Sequence, residues 1–87
     1  MKMRQFKYKT KGVCSMQINF ELDEQDVVHN VQFIGGCPGN TLGVASLAEG
    51  QNAHDLIEKL KGIDCRGRGT SCPDQLSLAL AQALETK

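Results

Sequence analysis

The sequence predicts an α+β fold: a small three-stranded antiparallel sheet in the N-terminal part, covered on one face by two or three helices from the C-terminal part. Three observations predict it. Apolar and polar residues alternate with a period of two from Met16 to Leu22. Short polar turns separate that run from two flanking strand-like runs, which makes an antiparallel meander the simplest pairing. Beyond Gly35-Gly36-Cys37-Pro38-Gly39 the apolar residues recur at helical spacing instead. The 87 residues read as one domain, residues 1–87.

Each element has a local reason. Gln5 to Lys9 alternates weakly, with Phe6 and Tyr8 on one side, and Lys11-Gly12 is a turn signal. Met16, Ile18, Phe20 and Leu22 then share one face of a strand, against Gln17, Asn19 and Glu21 on the other. Asp23-Glu24-Gln25-Asp26 is a polar turn, and Val27 to Ile34 is a third strand rich in Val and Phe. Asn40 or Thr41 caps a first helix running to about Ala48, with Leu42, Ala45 and Leu47 inward and Gly50 stopping it. Asn52 caps a second helix, with Asp55 three residues on and Leu56, Ile57 and Leu60 as its apolar stripe, and Gly62 ends it. Pro73 suits the first position of a third helix, where Leu76, Leu80, Ala83 and Leu84 recur at helical spacing.

Composition removes several function classes. Ten basic residues balance ten acidic ones, so no global field draws the chain to nucleic acid or an anionic membrane. With no Trp and few aromatics, a platform for stacking bases is poorly provided for, and nucleic acid is not an expected partner. No apolar run has the length of a membrane span. The basic start from Met1 to Lys11 has no apolar run after it and does not read as a signal peptide, so the expected location is the cytoplasm. Its lysines fit a protected strand edge. In a reducing compartment four cysteines read as metal ligands or redox groups before structural disulfides. A chain this small has a thin core that a metal can supplement.

Cys14, Cys37, Cys65 and Cys72 each stand in or beside a break between elements, unlike cysteines used only as small hydrophobes. Two of them precede proline: Cys37-Pro38 and Cys72-Pro73. Proline presets the first helical turn, and the N–H groups and positive dipole end at a helix start favour a thiolate. A thiolate serves equally as metal ligand and as nucleophile. Four cysteines can supply the whole tetrahedron of a structural zinc. The spacing, two long steps and one short one, lacks the paired cysteines of the usual zinc motifs. A closed zinc site, a redox pair and simple packing therefore stand as three open readings.

Arg66-Gly67-Arg68-Gly69-Thr70-Ser71 leads into the third helix. Arg66, Arg68, Thr70 and Ser71 are the parts of an anion site at a helix start, while the alternative is a solvated loop with Thr70 or Ser71 capping the helix. His29 and His54 read as surface or hydrogen-bonded residues, not ligands. The acidic turn Asp23, Glu24 and Asp26 lacks the glycine and spacing of a calcium loop.

Thr70-Ser71-Cys72-Pro73-Asp74, followed by Gln75-Leu76, resembles the signature of the TSCPD domain family. Leu60-Lys61-Gly62-Ile63 with Cys65, Gly35-Gly36-Cys37 with Gly39-Asn40, and Cys14 resemble its small stand-alone, four-cysteine branch. One departure is Arg66 after Cys65, where the branch leads one to expect glycine. The resemblance implies that the four cysteines are metal ligands. It also implies a link to ribonucleotide reduction, since similar domains end the cobalamin-dependent ribonucleotide reductases. This chain is too short for the large barrel of such a reductase. It resembles an accessory part, with a reductase or a nucleotide as the implied partner. A redox component passing electrons to a reductase and a nucleotide-binding regulatory domain are the alternatives.

Overall fold

The computed structural model describes residues 3–10, 15–35, 38–63 and 70–85. It has strands β1 (Arg4–Lys9), β2 (Ser15–Leu22) and β3 (Val28–Gly35), then helices α1 (Pro38–Ala48), α2 (Ala53–Leu60) and α3 (Cys72–Glu85). The expected α+β arrangement is present. The sheet order is β1-β2-β3, with both pairs antiparallel. Its inner face carries Ile18, Phe20, Leu22, Val28 and Val31, all buried, with Phe6, Tyr8 and Phe33 half-buried beside them. Phe6 sits opposite Phe20 across the strand pair, with ring centroids 5.3 Å apart. Its other face carries Gln5, Lys7, Lys9, Asn19 and Gln32 and is open to water, which an antiparallel sheet tolerates on one side.

The helices cover the apolar face. α1 packs along β3, α2 and α3 pack on each other, and α3 lies over β2. Leu76, Ala79, Leu80 and Ala83 of α3 are buried, as are Ala53 and Leu56 of α2. The backbone joins the layers at one end. Gly50 N–H donates to Val28 O at 2.8 Å, Val28 N–H to Gln51 O at 2.8 Å, and Ala53 N–H to Asp26 O at 2.9 Å. Gly50 reaches its bond with φ +79°, a left-handed conformation that glycine adopts without strain.

Five expectations shift. Met16, expected on the inner face of β2 with Ile18, Phe20 and Leu22, is 69% exposed, because the register shifts between Ser15 and Gln17. The third strand begins at Val28, because Val27 bridges Asn52 instead. The first helix begins at Pro38, ahead of Asn40 or Thr41, and the third begins at Cys72 rather than Pro73. Leu42 and Leu47 face outward, 68% and 78% exposed, where the spacing suggested inward positions. α1 carries no charged residue, so its pattern names no preferred face. The face that packs on β3 is the one bearing Val44, Ala45 and Ala48, with Ala48 wholly buried. Small side chains there let the helix approach the strand closely.

The sheet also departs from simple alternation. β2 gains a residue between Ser15 and Gln17, and β3 gains one between His29 and Gln32, opposite the step from Asn19 to Glu21. Asn30, with φ 55°, takes up the second bulge, a conformation that Asn tolerates. The bulge turns both Val28 and Val31 to the core.

Truncating Leu80 to Ala is expected to cost about 2–5 kcal/mol of stability, the range for a buried leucine. Leu47→Ala is expected to change stability by no more than about 0.5 kcal/mol, the range for an exposed site. Urea unfolding of the two variants checks both, and equal losses would contradict the assigned faces.

Candidate functional site

The described part of the candidate site is the corner where α2 ends and α3 begins. Ser71, 5% exposed, accepts the Asp74 N–H on its hydroxyl at 3.1 Å and the Gln75 N–H on its carbonyl at 2.8 Å. Ser71 is thus the N-cap of α3, and Cys72 and Pro73 occupy the first two helical positions. Proline costs nothing there, because the first-turn N–H groups have no partner within a helix.

Asp74 fastens the corner. One carboxylate oxygen accepts the Gly62 N–H at 2.7 Å, just past the end of α2. The other accepts the Thr70 hydroxyl at 2.6 Å. Thr70 Oγ1 in turn accepts from Gln75 Nε2 at 2.9 Å, and Ser77 Oγ donates to Asp74 O at 2.6 Å. Asp74, Gln75 and Ser77 are all buried. Among the described residues no buried side-chain N or O atom lacks a hydrogen-bond partner. An acidic residue in the first turn also suits the positive end of the helix dipole.

The corner gives Thr70, Ser71 and Asp74 positioning work. Thr70 and Ser71 are therefore found in the helix cap, with their hydroxyls turned to Asp74 and Gln75. Cys72, at the first position of α3, is half-buried. Arg66, Arg68, Cys14, Cys37 and Cys65 lie outside the described residues. Next to Cys14 and Cys37 along the chain, the described residues are Ser15, which is paired with Gly35 at one end of the sheet, and Pro38, which opens α1.

The linking role of Asp74 has only a local signal in the sequence: Ser71 and Asp74 stand three apart, the spacing of a capping box. Asn52 and Asp55 share that spacing, but there Asn52 Oδ1 accepts the N–H of His54, two residues on, at 2.9 Å. The acidic turn does local work as well: Asp23 Oδ1 accepts the N–H groups of Gln25 and Val27 at 2.8 and 3.0 Å. Among the described residues, no group of three or more His, Cys, Asp or Glu side chains could hold a metal ion. No helix among them is long and apolar enough to cross a membrane.

Asp74→Ala is expected to cost about 1–3 kcal/mol, since it strands the Gly62 N–H and the Thr70 hydroxyl. Ser71→Ala is expected to cost about 1 kcal/mol for the lost cap. Both are read from denaturant midpoints. A loss below about 0.5 kcal/mol for Asp74→Ala would show that this carboxylate does not hold the corner.

Comparison with curated proteins and with solved structures finds no match. Comparison with family models finds one, the TSCPD domain, over residues 2–84. The match takes in the sheet, all the described helices and the Thr70–Asp74 corner, and the chain belongs to the TSCPD domain family.

Proposed function

We propose that the chain is an accessory binding domain whose Cys14, Cys37, Cys65 and Cys72 hold one zinc ion. The observation that carries this reading is the pairing of Ser15 with Gly35. Cys14 directly precedes Ser15. Cys37 follows Gly35 by two residues, before α1 starts at Pro38. Both cysteines are thus within two residues, along the chain, of the strand pair at one end of the sheet. That end is opposite the β2–β3 turn.

The third helix supports the same reading. α2 starts beside the β2–β3 turn, where Ala53 N–H meets Asp26 O. The bond from Gly62 N–H to Asp74 then sets the start of α3 at the far end of α2. Cys72 thus opens α3 beside the end of α2, and Cys65 is seven residues before it. The Ser71 and Asp74 bonds on either side hold Cys72 on a rigid element, as a ligand needs. The donor set suits zinc: four thiolates close its tetrahedron and leave no open position. The ion would act as a crosslink between the sheet end and α3, adding folding free energy to a thin core.

The partner reading rests on the resemblance to domains that end cobalamin-dependent ribonucleotide reductases. It makes such a reductase the partner and the metal-stapled domain the docking element. A phosphate site at Arg66, Arg68, Thr70 and Ser71 is less well supported, because an anion beside Thr70 would also meet the Asp74 carboxylate.

Protein purified without chelator is expected to hold about one zinc per chain by elemental analysis. A chelator is expected to lower its melting temperature, and Cys72→Ser to lose the metal while Leu47→Ser retains it. Less than about half an equivalent of metal would overturn the proposal. A readily reversible disulfide among the four cysteines would then favour a redox role. Calorimetric titration of purified reductase with the metal-loaded domain tests the partner, with the chelated domain as control.

A further inference from the structure

His29 lies at the bulge of β3, where three parts of the chain meet. Its Nδ1 is 2.7 Å from Glu49 Oε2, in the turn that follows α1. Its Nε2 is 3.0 Å from Asp23 Oδ2, in the turn between β2 and β3. Neither carboxylate is held by the ring alone. Asp23 Oδ1 accepts two backbone N–H groups of its own turn. Glu49 Oε1 accepts the N–H of Asn30, the left-handed bulge residue, at 2.8 Å.

A neutral imidazole has one N–H and one lone pair, so it can donate to only one of these carboxylates. The imidazolium donates to both. The two-sided geometry thus selects the charged ring. From this the geometry points to a proton-operated clamp: protonated His29 fastens the end of α1 to the β2–β3 hairpin, and loss of the proton releases Glu49. Glu49 is the side that lets go, because the two anchors differ. The Asp23 side chain is 9% exposed and fixed by its turn, while that of Glu49 is 49% exposed. The backbone bonds of Gly50 and Gln51 to Val28 persist, so the opening is local. Glu49 also lines a shallow groove of about 480 Å³ between α1 and β3, with Val31, Gln32, Leu42, Ala45 and Ser46. Release leaves an unneutralised carboxylate in that groove.

The surrounding charges agree with this assignment. Glu21, on β2, bonds Asn30 Nδ2 and accepts from Gln5 Nε2 at 3.2 Å, and adds negative charge near the ring. Arg4 donates to Asp26 Oδ1 at 2.7 Å and to the Asp23 backbone carbonyl at 2.9 Å, and His54 lies 3.9 Å from Asp26. The bonds to Asp23 first, and to Glu49 second, raise the His29 pKa above its ordinary 6.5. The His29 bond holds Asp23 below the usual carboxylate range. The Asn30 N–H and then His29 do the same for Glu49. For a histidine raised on folding, the stabilisation is complete below the unfolded pKa and is lost as pH climbs through the folded one. For carboxylates lowered on folding, it is lost as pH falls through their folded values. The clamp is therefore closed below the raised His29 pKa and opens as pH climbs through it.

Proton NMR of the full chain from about pH 5 to about pH 9 tests this. The His29 ring signals are expected to titrate with a midpoint above 6.5. The Asn30 amide is expected to shift with the same midpoint. Its hydrogen exchange is expected to quicken about fivefold beyond the intrinsic effect of base, as a local opening would produce. Glu49→Gln moves the His29 midpoint down and abolishes the step in Asn30 exchange. His29→Gln leaves Asn30 without any step, and circular dichroism confirms that both variants stay folded. A His29 midpoint at or below 6.5, or an Asn30 amide indifferent to the titration, would overturn the proposal. Metal content has no part in these readouts, so they are independent of the zinc site.

Discussion

Ile18, Phe20 and Leu22, each no more than 2% exposed, line the single apolar face of the central strand, and the rest of the fold is arranged to keep that face dry. A three-stranded sheet cannot close on itself, so its apolar side needs a lid. α1 covers the β3 side and α3 the β2 side, and α2 reaches the core through Ala53 and Leu56. Much of the lid is made of alanine: Ala45 and Ala48 in α1, Ala53 in α2, Ala79 and Ala83 in α3. Small side chains bring the helices close but bury little area per residue. The core is therefore dense and thin, and its stability leans on how well the elements are fastened at their ends.

Two polar corners do the fastening. Asp74 joins the end of α2 to the start of α3, and Asp23 with His29 joins the hairpin turn to the end of α1. Each uses a carboxylate that accepts a backbone N–H with one oxygen and a side-chain donor with the other. The chemistry differs in one respect. The Thr70 hydroxyl does not change charge over the physiological range, whereas imidazole does. The first corner is a fixed joint, and the second follows the proton concentration.

Where the determinants are local, the sequence discloses the fold. Period-two alternation in β2 from Ile18 to Leu22, the Asn52 cap and the breaks at Gly50 and Gly62 depend on neighbouring residues only, and each stands where its pattern predicts, whereas Met16 leaves the pattern at the bulge. The orientation of α1 does not follow from its own residues. Leu42, Val44, Ala45, Leu47 and Ala48 surround an uncharged helix, and the strand beneath it selects the face with the smaller side chains. Bulges are hidden for a similar reason, since one extra residue in β3 alters the pairing without altering the apolar composition. Only the choice of asparagine at position 30 hints at it. At the site, Thr70 and Ser71 read alike from sequence as anion ligands or as a helix cap. In the fold their hydroxyls meet Asp74, the Thr70 hydroxyl on its carboxylate and the Ser71 hydroxyl on its N–H.

The thin core and the two corners bear on the cysteines. The Asp23–His29 corner ties down the hairpin-turn end of the fold, together with the backbone bonds of Val28, Gly50 and Ala53. At the opposite end, β2 begins and β3 ends, and α1 starts immediately beyond. Ser15 and Gly35 meet there as a strand pair, next to a bulge at an exposed Met16. A crosslink adds most where it closes long loops between elements that little else restrains. Along the chain Cys14 directly precedes Ser15, Cys37 follows Gly35 by two residues, and Cys72 opens α3. A metal shared among them would fasten the end of the fold that the histidine corner does not reach.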